Sequence, residues 1–164
     1  MKWKIEICGK SDAPDVVGKS ILEDIADLGI AGVTSVRTAQ IYWIEGNIDS
    51  QAVERICYNL LADPVTQRYV YREIENDLPS QSVRSALLTN TWTVEIRFKS
   101  GVTDAVGDSV LKGIRDANIM GVQAAQTGEK YWIQGSLYRA KLEIISQRLL
   151  ANEVIQTFEI HRES

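Results

Sequence analysis

Few residues of this chain have the types and spacing that enzyme chemistry requires. His161 is the only histidine, so one chain cannot form a Ser-His-Asp triad or a site with several histidines. The sequence also contains no glycine-rich phosphate loop, no Cys-His pair and no carboxylate cluster. The best polar candidate is Lys10-Ser11 followed by Asp15, and the same pattern returns as Lys99-Ser100 followed by Asp104.

That recurrence belongs to a duplication of almost the whole chain. Residues 3–71 align with residues 92–160 at a constant offset and without a gap, with 27 identities in 69 positions. Such a long register indicates two copies of one folding unit. We therefore expect a first repeat at residues 1–75, a linker at 76–90 and a second repeat at 91–164. Each repeat is close to the size at which a single core is marginal, so the two are expected to associate within one chain.

The duplication also argues against a shared cysteine site. Cys8 is replaced by Arg97 in the second repeat, and Cys57 is replaced by Ser146. A zinc site or disulfide common to the fold would not be lost in this way. We interpret Cys57 as a small core residue and Cys8 as a strand thiol, and we expect no metal and no cofactor.

Composition restricts the partners and the compartment. The chain has 164 residues and a formal net charge of −4, with a pI near 5.1. Nucleic acid is an unfavourable partner, because phosphate binding needs a basic face. The first residues contain no apolar signal-peptide region, and no apolar run is long enough to span a membrane. A cytoplasmic protein without membrane contact is expected.

The first half of each repeat reads as a strand followed by a helix. Apolar residues alternate from Trp3 to Ile7, which is typical of a half-buried strand. Asp15 is placed to accept hydrogen bonds from the first turn of the helix, as is Asp104. The predicted apolar stripe of this helix consists of Val17, Ile21, Ile25 and Leu28. Gly18 and Gly107 fall in the first helical turn, which suggests close approach by another backbone.

The second half reads as two strands, a helix and a final strand. A tight hairpin is predicted at Ala39-Gln40 and at Gly128-Glu129. Ser50 is predicted to cap the second helix, and Asp63-Pro64 breaks it before the last strand. Each repeat thus predicts the order β-α-β-β-α-β, the ferredoxin-like plan of an α+β protein with both helices on one face of the sheet.

Trp43 and Trp132 bear on how the repeats associate. If Tyr42 and Ile44 point into the core, these tryptophans lie on the opposite face of the sheet. The reverse assignment, with the tryptophans in the core, is equally open from the sequence. In either case the simplest interpretation is a fused dimer, in which each repeat shields the other as an intramolecular pseudo-dimer.

Several segments resemble a known family. They are the helix start Asp15-x-x-Gly18, the strand Val33-x-x-Val36-Arg37, and above all Leu60-Leu61-Ala62-Asp63-Pro64-Val65-x-Gln67-x-Tyr69. Together they are similar to PurS, the small subunit of phosphoribosylformylglycinamidine (FGAM) synthase, and to the PurS-like segment of its single-chain forms. The second repeat departs from this pattern, because Glu153 replaces Pro64 and Gln126 replaces Arg37.

The resemblance implies a non-catalytic subunit that holds a glutaminase subunit against an ATP-dependent synthetase subunit in purine biosynthesis. Two alternatives stay open. One is a small-molecule regulatory module of the ACT type, and the other is the N-terminal piece of a longer single-chain synthetase. The residues proposed to contact partners or the other repeat are Lys10, Asp15, Trp43, Lys99, Asp104 and Trp132. For the Lys-Ser-Asp pattern, a polar turn with a helix cap competes with a docking contact.

Overall fold

The computed structural model describes residues 1–10, 14–74 and 90–163. The first repeat contains β1 (Lys2–Gly9), α1 (Val16–Asp27), β2 (Val33–Gly46), α2 (Ser50–Ile56) and β3 (Gln67–Ile74). The second contains β4 (Thr91–Phe98), α3 (Ala105–Asp116), β5 (Val122–Gly135), α4 (Arg139–Ile145) and β6 (Gln156–Glu163). A π-helical turn extends α2 over Cys57–Leu61 and α4 over Ser146–Leu150. Except for Asn90, the predicted linker lies outside the described residues, as do Ser11, Asp12 and Ala13.

The α+β class and the ferredoxin-like plan of two repeats are confirmed, but the predicted hairpins are wrong. The residues from Val33 to Gly46 form one continuous strand of 14 residues, and those from Val122 to Gly135 form another. Ala39-Gln40 lacks the Gly or Asn that a two-residue turn favours. Gly128 could adopt a turn conformation, yet it too lies within an extended strand.

The strand order of the sheet is β3-β1-β2-β5-β4-β6. β1 is antiparallel to both of its neighbours, and Ile5 lies opposite Tyr42 on one side and Tyr71 on the other. β4 pairs with β6 in the corresponding register, with Val94 opposite Ile160. β3 and β6 are therefore the outer strands.

The chain forms two compact units that do not coincide with the sequence repeats. The first compact unit comprises Met1–Pro14, Ala39–Leu78 and Thr103–Gly128, and the second comprises Asp15–Thr38, Pro79–Val102 and Glu129–Ser164. Each unit therefore combines segments of both repeats. The change of unit within β2 falls between Thr38 and Ala39, and within β5 between Gly128 and Glu129, where the hairpins had been predicted.

The first compact unit has strands β1 and β3, helix α2 and the second half of β2 from the first repeat. Helix α3 and the first half of β5 come from the second repeat. Taken in the order β1, α3, β5, β2, α2, β3, these elements complete a β-α-β-β-α-β fold. The buried core includes residues of both repeats: Trp3, Ile5, Ile7, Ile44, Ile48, Val53, Ile56, Cys57, Ala62, Val110, Ile114, Ile119 and Val122.

The second compact unit is built in the same way, from β4, β6, α4 and the second half of β5, completed by α1 and the first half of β2. Its core contains Ile25, Val36, Trp92, Val94, Ile96, Tyr131, Ile133, Leu142, Ile145, Leu150 and Ile160. The division at residues 75 and 91 stays a prediction about domains, since the compact units cut across it.

The helices differ from prediction in detail. Ile25 of α1 is buried and Ile21 is partly buried, but Val17 and Leu28 of the predicted stripe are exposed. The buried face of α1 is narrower than the predicted stripe, because Gly18 packs directly against the sheet where a larger side chain would not fit. Helix α2 is capped by Asp49, whose carboxylate accepts from the Ala52 N–H at 2.9 Å, and not by the predicted Ser50.

Candidate interaction sites

Asp15 holds the start of helix α1 against strand β2. Its carboxylate accepts from the Gly18 N–H at 2.7 Å, which confirms the predicted cap. It also accepts from the Thr38 N–H at 2.7 Å and from the Thr38 hydroxyl at 3.1 Å. Several donors thus converge on one partly buried carboxylate, and hydrogen bonds to a charged acceptor are among the stronger ones.

Asp104 makes the same contacts in the first compact unit. It accepts from the Gly107 N–H at 2.8 Å, from the Thr127 N–H at 2.6 Å and from the Thr127 hydroxyl at 2.9 Å. Sequence reasoning found the cap but missed the threonine. The available signal was that Thr38 and Thr127 are retained at the repeat offset, 23 positions after each aspartate.

Gly18 and Gly107 allow the helices to approach the strands closely, as the sequence suggested. A Cβ on Gly18 would lie 2.3 Å from the Val36 carbonyl oxygen, and one on Gly107 would lie 2.6 Å from that of Ala125. Both distances are far below van der Waals contact. Only glycine therefore fits at these two positions, and each Asp-Thr contact is reinforced by a glycine contact one turn away.

Lys10 and Lys99 are exposed, and each lies beside the turn that follows a π-helical segment. The Lys10 N–H donates to the Thr66 carbonyl at 3.0 Å, and the Lys99 N–H donates to the Ile155 carbonyl at 2.8 Å. The segment with the strongest resemblance to PurS, which contains Asp63-Pro64-Val65, is therefore adjacent to Lys10.

The turn at Asp63 is closed by reciprocal hydrogen bonds. The Val65 N–H donates to the Asp63 carboxylate at 2.9 Å, and the Asp63 N–H donates to the Gln67 side chain at 2.9 Å. Hydrogen bonds from the Val65 N–H and the Thr66 hydroxyl, together with the charge of Lys10, lower the pKa of Asp63. The acid is therefore ionised and presents a negative charge beside Lys10.

The second repeat keeps the shape of this turn but carries its acid one position later, at Glu153. Asn152 replaces Asp63 and accepts from the Val154 N–H at 3.1 Å, while its own N–H donates to Gln156 at 2.8 Å. Val65 and Val154 are 76% and 81% exposed at the tips of the two turns. The turns at Asp63 and Asn152 are thus alike in backbone and apolar tip but differ in the position of their acidic residue.

Trp43 and Trp132 lie on the sheet face opposite the cores, as one of the two assignments predicted. Tyr42 packs against the core of the first compact unit, and Trp43, its neighbour in the strand, does not belong to that core. Trp43 is nevertheless only 5% exposed. Trp132 is half-buried, and the Lys130 ammonium lies 4.8 Å from its ring centroid. Their role as contacts between repeats stays a prediction.

A Glu-Tyr cluster on the first repeat was missed by the sequence reasoning. The Tyr69 hydroxyl donates to the Glu54 carboxylate, and the rings of Tyr69 and Tyr71 are stacked with centroids 6.4 Å apart. The hydrogen bond to Glu54 raises the pKa of Tyr69 to about 12. The counterparts of the two tyrosines are Phe158 and Ile160, so the cluster distinguishes the two repeats.

The cysteines have the structural roles predicted for them. Cys57 is fully buried in the first core, and burial raises the pKa of its thiol to about 12, which makes it unreactive at neutral pH. Cys8 lies in β1, where its sulfur accepts from the Arg68 Nε at 3.2 Å.

Within the described ranges, no three His, Cys, Asp or Glu side chains come together as possible metal ligands. In the same ranges, no helix is long and apolar enough to cross a membrane.

Comparison with known proteins assigns the same family to both repeats. The sequence profile of PurS, phosphoribosylformylglycinamidine (FGAM) synthase, matches residues 2–75 and again residues 91–164. Among solved structures, the chain is similar to the crystal structure of Methanocaldococcus jannaschii PurS, described as one of the subunits of formylglycinamide ribonucleotide amidotransferase in the purine biosynthetic pathway. The sequence identity is 26%, the match covers 43% of this chain and 92% of that one, and the TM-score is 0.35. A comparison with curated proteins gives no match.

The fold and the repeated turns thus define a tandem α+β protein whose repeats are both of one family. The chain belongs to the PurS family of FGAM synthase, and it carries two copies of the family's domain.

Proposed function

We propose that this protein is a non-catalytic, PurS-like subunit of the FGAM synthase complex. In this role it bridges a glutaminase subunit and an ATP-dependent synthetase subunit in purine biosynthesis. The observation that carries the proposal is the family match over both repeats, residues 2–75 and 91–164. This match favours a complex subunit over a regulatory module of the ACT type.

The composition of the compact units supports a further part of the proposal, that one chain acts as an intramolecular pseudo-dimer. Each unit is completed by a helix and half a strand from the other repeat. Exchange of identical elements between protomers is a common way of forming dimers, and duplication followed by fusion would retain both exchanged parts in one polypeptide.

Reconstitution with the cognate synthetase and glutaminase tests the bridging role. We expect the three proteins to co-purify, and we expect glutamine-dependent turnover to require this chain. Ammonium salts provide the control, because a subunit that joins the glutaminase to the synthetase should matter much less when ammonia is supplied directly. Glutamine-dependent turnover at the same rate without the chain would contradict the proposal.

The pure chain should have no chemistry of its own. None of the described side chains forms a nucleophile-base pair in the contacts above, and the sequence contains no phosphate loop. We therefore expect no hydrolysis of ATP or glutamine by the purified protein. Measurable hydrolysis that a single substitution in this chain abolishes would show that the role is not merely structural.

Lys10 and Lys99 are the proposed docking contacts. Exposed charges at the rim of an interface mainly set association rates, so Lys10→Glu should slow binding to the other subunits, with a smaller effect at high salt. Lys99→Glu should have an effect of different size, because the ionised Asp63 lies beside Lys10, whereas Asn152 takes its place in the second repeat and the acid there is Glu153. Association kinetics at two salt concentrations measure both effects. Unchanged rates for both variants would identify the lysines as solvated turn residues only.

A single-chain synthetase that begins with this sequence is the competing possibility. The two cases differ in the natural reading frame. A frame that ends near residue 164, beside genes for a synthetase or a glutaminase, supports the separate subunit, and a frame that continues for hundreds of residues supports the fused form.

A further inference from the structure

The two outer strands of the sheet, β3 and β6, expose opposite charges. Among the described residues each pairs along one side only, β3 with β1 and β6 with β4. An outer strand of this kind presents unpaired backbone N–H and C=O groups that can pair with another chain. Both strands are eight residues long.

The backbone groups on the open side of β3 belong to its odd-numbered residues. The Lys10 N–H donates to the Thr66 carbonyl at 3.0 Å and continues the β1-β3 register. Because hydrogen-bonded positions alternate in antiparallel pairs, the even-numbered residues direct their backbone groups to β1. Tyr69, Tyr71 and Glu73 therefore direct theirs outward.

The corresponding groups of β6 belong to its even-numbered residues. Here the Lys99 N–H donates to the Ile155 carbonyl at 2.8 Å and continues the β4-β6 register. Phe158, Ile160 and Arg162 consequently present their backbone groups on the open side. An antiparallel pairing of β3 with β6 can then place Tyr71 opposite Ile160 with matching donors and acceptors.

The side chains that face away from the cores differ in sign between the two strands. On β3 they include Arg68, Val70 and Arg72, and Val70 is 62% exposed. On β6 they are Thr157, Glu159, His161 and Glu163, and the Glu159 side chain is 59% exposed. The face of β3 is thus basic and that of β6 is acidic.

We propose that copies of this chain associate head to tail, with β3 of one copy pairing antiparallel with β6 of the next. With Tyr71 opposite Ile160, Arg68 comes opposite Glu163 and Arg72 comes opposite Glu159. These pairs occupy the positions between hydrogen-bonded pairs, where opposed side chains are closest. The aromatic and apolar residues on the other face, such as Tyr71 and Ile160, meet on the side that each unit uses for its core.

A second copy is the partner that these charges fit, because the two complementary strands belong to the same chain. Pairing of β3 with β3 would oppose arginines with no carboxylate on that face, and pairing of β6 with β6 would bring Glu159 and Glu163 of two copies together.

Existing contacts are compatible with the proposal. Arg68 donates through Nε to Cys8, which leaves its terminal guanidinium nitrogens for a partner. Glu159 lies 3.5 Å from His161 through Oε2, which leaves Oε1 for a partner. Because the contact joins different surfaces, it forms a ring or an open chain of copies and not an isologous dimer.

Charge reversal tests the proposal with the full-length protein. One variant carries Arg68→Glu with Arg72→Glu, and the other carries Glu159→Arg with Glu163→Arg. Each variant has two edges of the same sign, so self-association measured by sedimentation should weaken by roughly tenfold or more as two ion pairs become repulsive. An equimolar mixture of the two variants should associate again, because each then finds a complementary edge on the other.

A variant with Arg37→Glu and Arg115→Glu is the control matched to the arginine variant, since it changes the net charge by the same amount at exposed positions outside the outer strands. It should associate like the original chain. Circular dichroism establishes that all variants fold, and higher salt should weaken the association of the original protein. A chain that stays monomeric at every concentration, or variants that associate unchanged or are not rescued by mixing, would overturn the proposal.

Discussion

At the scale of single residues, Asp15 and its counterpart Asp104 each accept hydrogen bonds from the same three kinds of donor. Asp15 accepts from Gly18 and Thr38, and removing it leaves their partly buried N–H groups without an acceptor. Asp15→Ala should therefore lower the free energy of unfolding by about 1–3 kcal/mol, as measured by denaturant titration of the full chain.

Asp27→Ala is the control for that substitution, because it removes the same charge from the exposed last turn of the same helix. A carboxylate at a helix C-terminus is unfavourable, so this variant should be as stable as the original or slightly more stable. Equal destabilisation by the two substitutions would mean that the Asp15 contacts contribute nothing specific.

Tyr69 gives a pH-dependent prediction. Its hydroxyl donates to the Glu54 carboxylate only while it is protonated, so the folded state favours the neutral phenol and raises its pKa to about 12 from the ordinary value of 10.0. The contribution to stability is complete below about pH 10 and is lost as pH rises towards 12. NMR titration should show Tyr69 ionising near pH 12, and Glu54→Gln should return its pKa towards 10. An unchanged pKa in that variant would contradict the assignment.

At the scale of elements, glycines decide how closely helices α1 and α3 approach their strands. Gly18→Ala and Gly107→Ala would each place a methyl group within 2.6 Å or less of a backbone carbonyl oxygen. We expect each to lower the free energy of unfolding by about 1–3 kcal/mol through overpacking.

Gly113→Ala is the contrasting substitution on α3. The atoms nearest to a Cβ there belong to the flexible end of Leu60, the closest at 3.1 Å, and Leu60 is 41% exposed and can move. Because alanine is also the better helix former by about 1 kcal/mol, this variant should be neutral or more stable in the same denaturant titration. Destabilisation equal to that of Gly107→Ala would contradict the account of close approach.

The elements also show how far the sequence could predict the fold. The sequence located the helices and strands except that it divided β2 and β5 in two, and the caps Asp15 and Asp104 followed from their position before an apolar helix, whereas Asp49 was missed in favour of Ser50. The continuous strands could not be predicted in this way, because alternation through Ala39-Gln40 is the same whether a strand turns back or continues. The outcome depends on a helix and a strand of the other repeat, and local propensity contains no information about that partner.

The candidate sites were predicted to a similar extent. Lys10 and Asp15 became candidates because their pattern repeats, but the contact of Asp15 with Thr38 joins residues 23 positions apart and has no local signature. The Glu54-Tyr69 cluster was missed because it exists in one repeat only, so comparison of the repeats pointed away from it. Comparison of the repeats finds contacts that both repeats share, and it misses contacts that only one repeat has.

At the scale of the whole molecule, the central claim is that both repeats are required to complete each compact unit. The core of the first unit lacks Val110, Ile114 and Ile119 of the second repeat if residues 1–75 are expressed alone. Loss of several large apolar side chains from a core of this size removes more stabilisation than a small domain has to spare. A second copy of the fragment could supply its own helix α1 in their place.

Sedimentation equilibrium of the isolated fragment 1–75, combined with circular dichroism, is the most direct measurement of that claim. The fragment should be unfolded when monomeric and folded only as a dimer, so that its helical signal and its melting temperature rise with concentration. The full chain should show much less concentration dependence in its melting temperature, because both exchanged parts are already joined. A fragment 1–75 that is monomeric, fully folded and as stable at low as at high concentration would contradict the account.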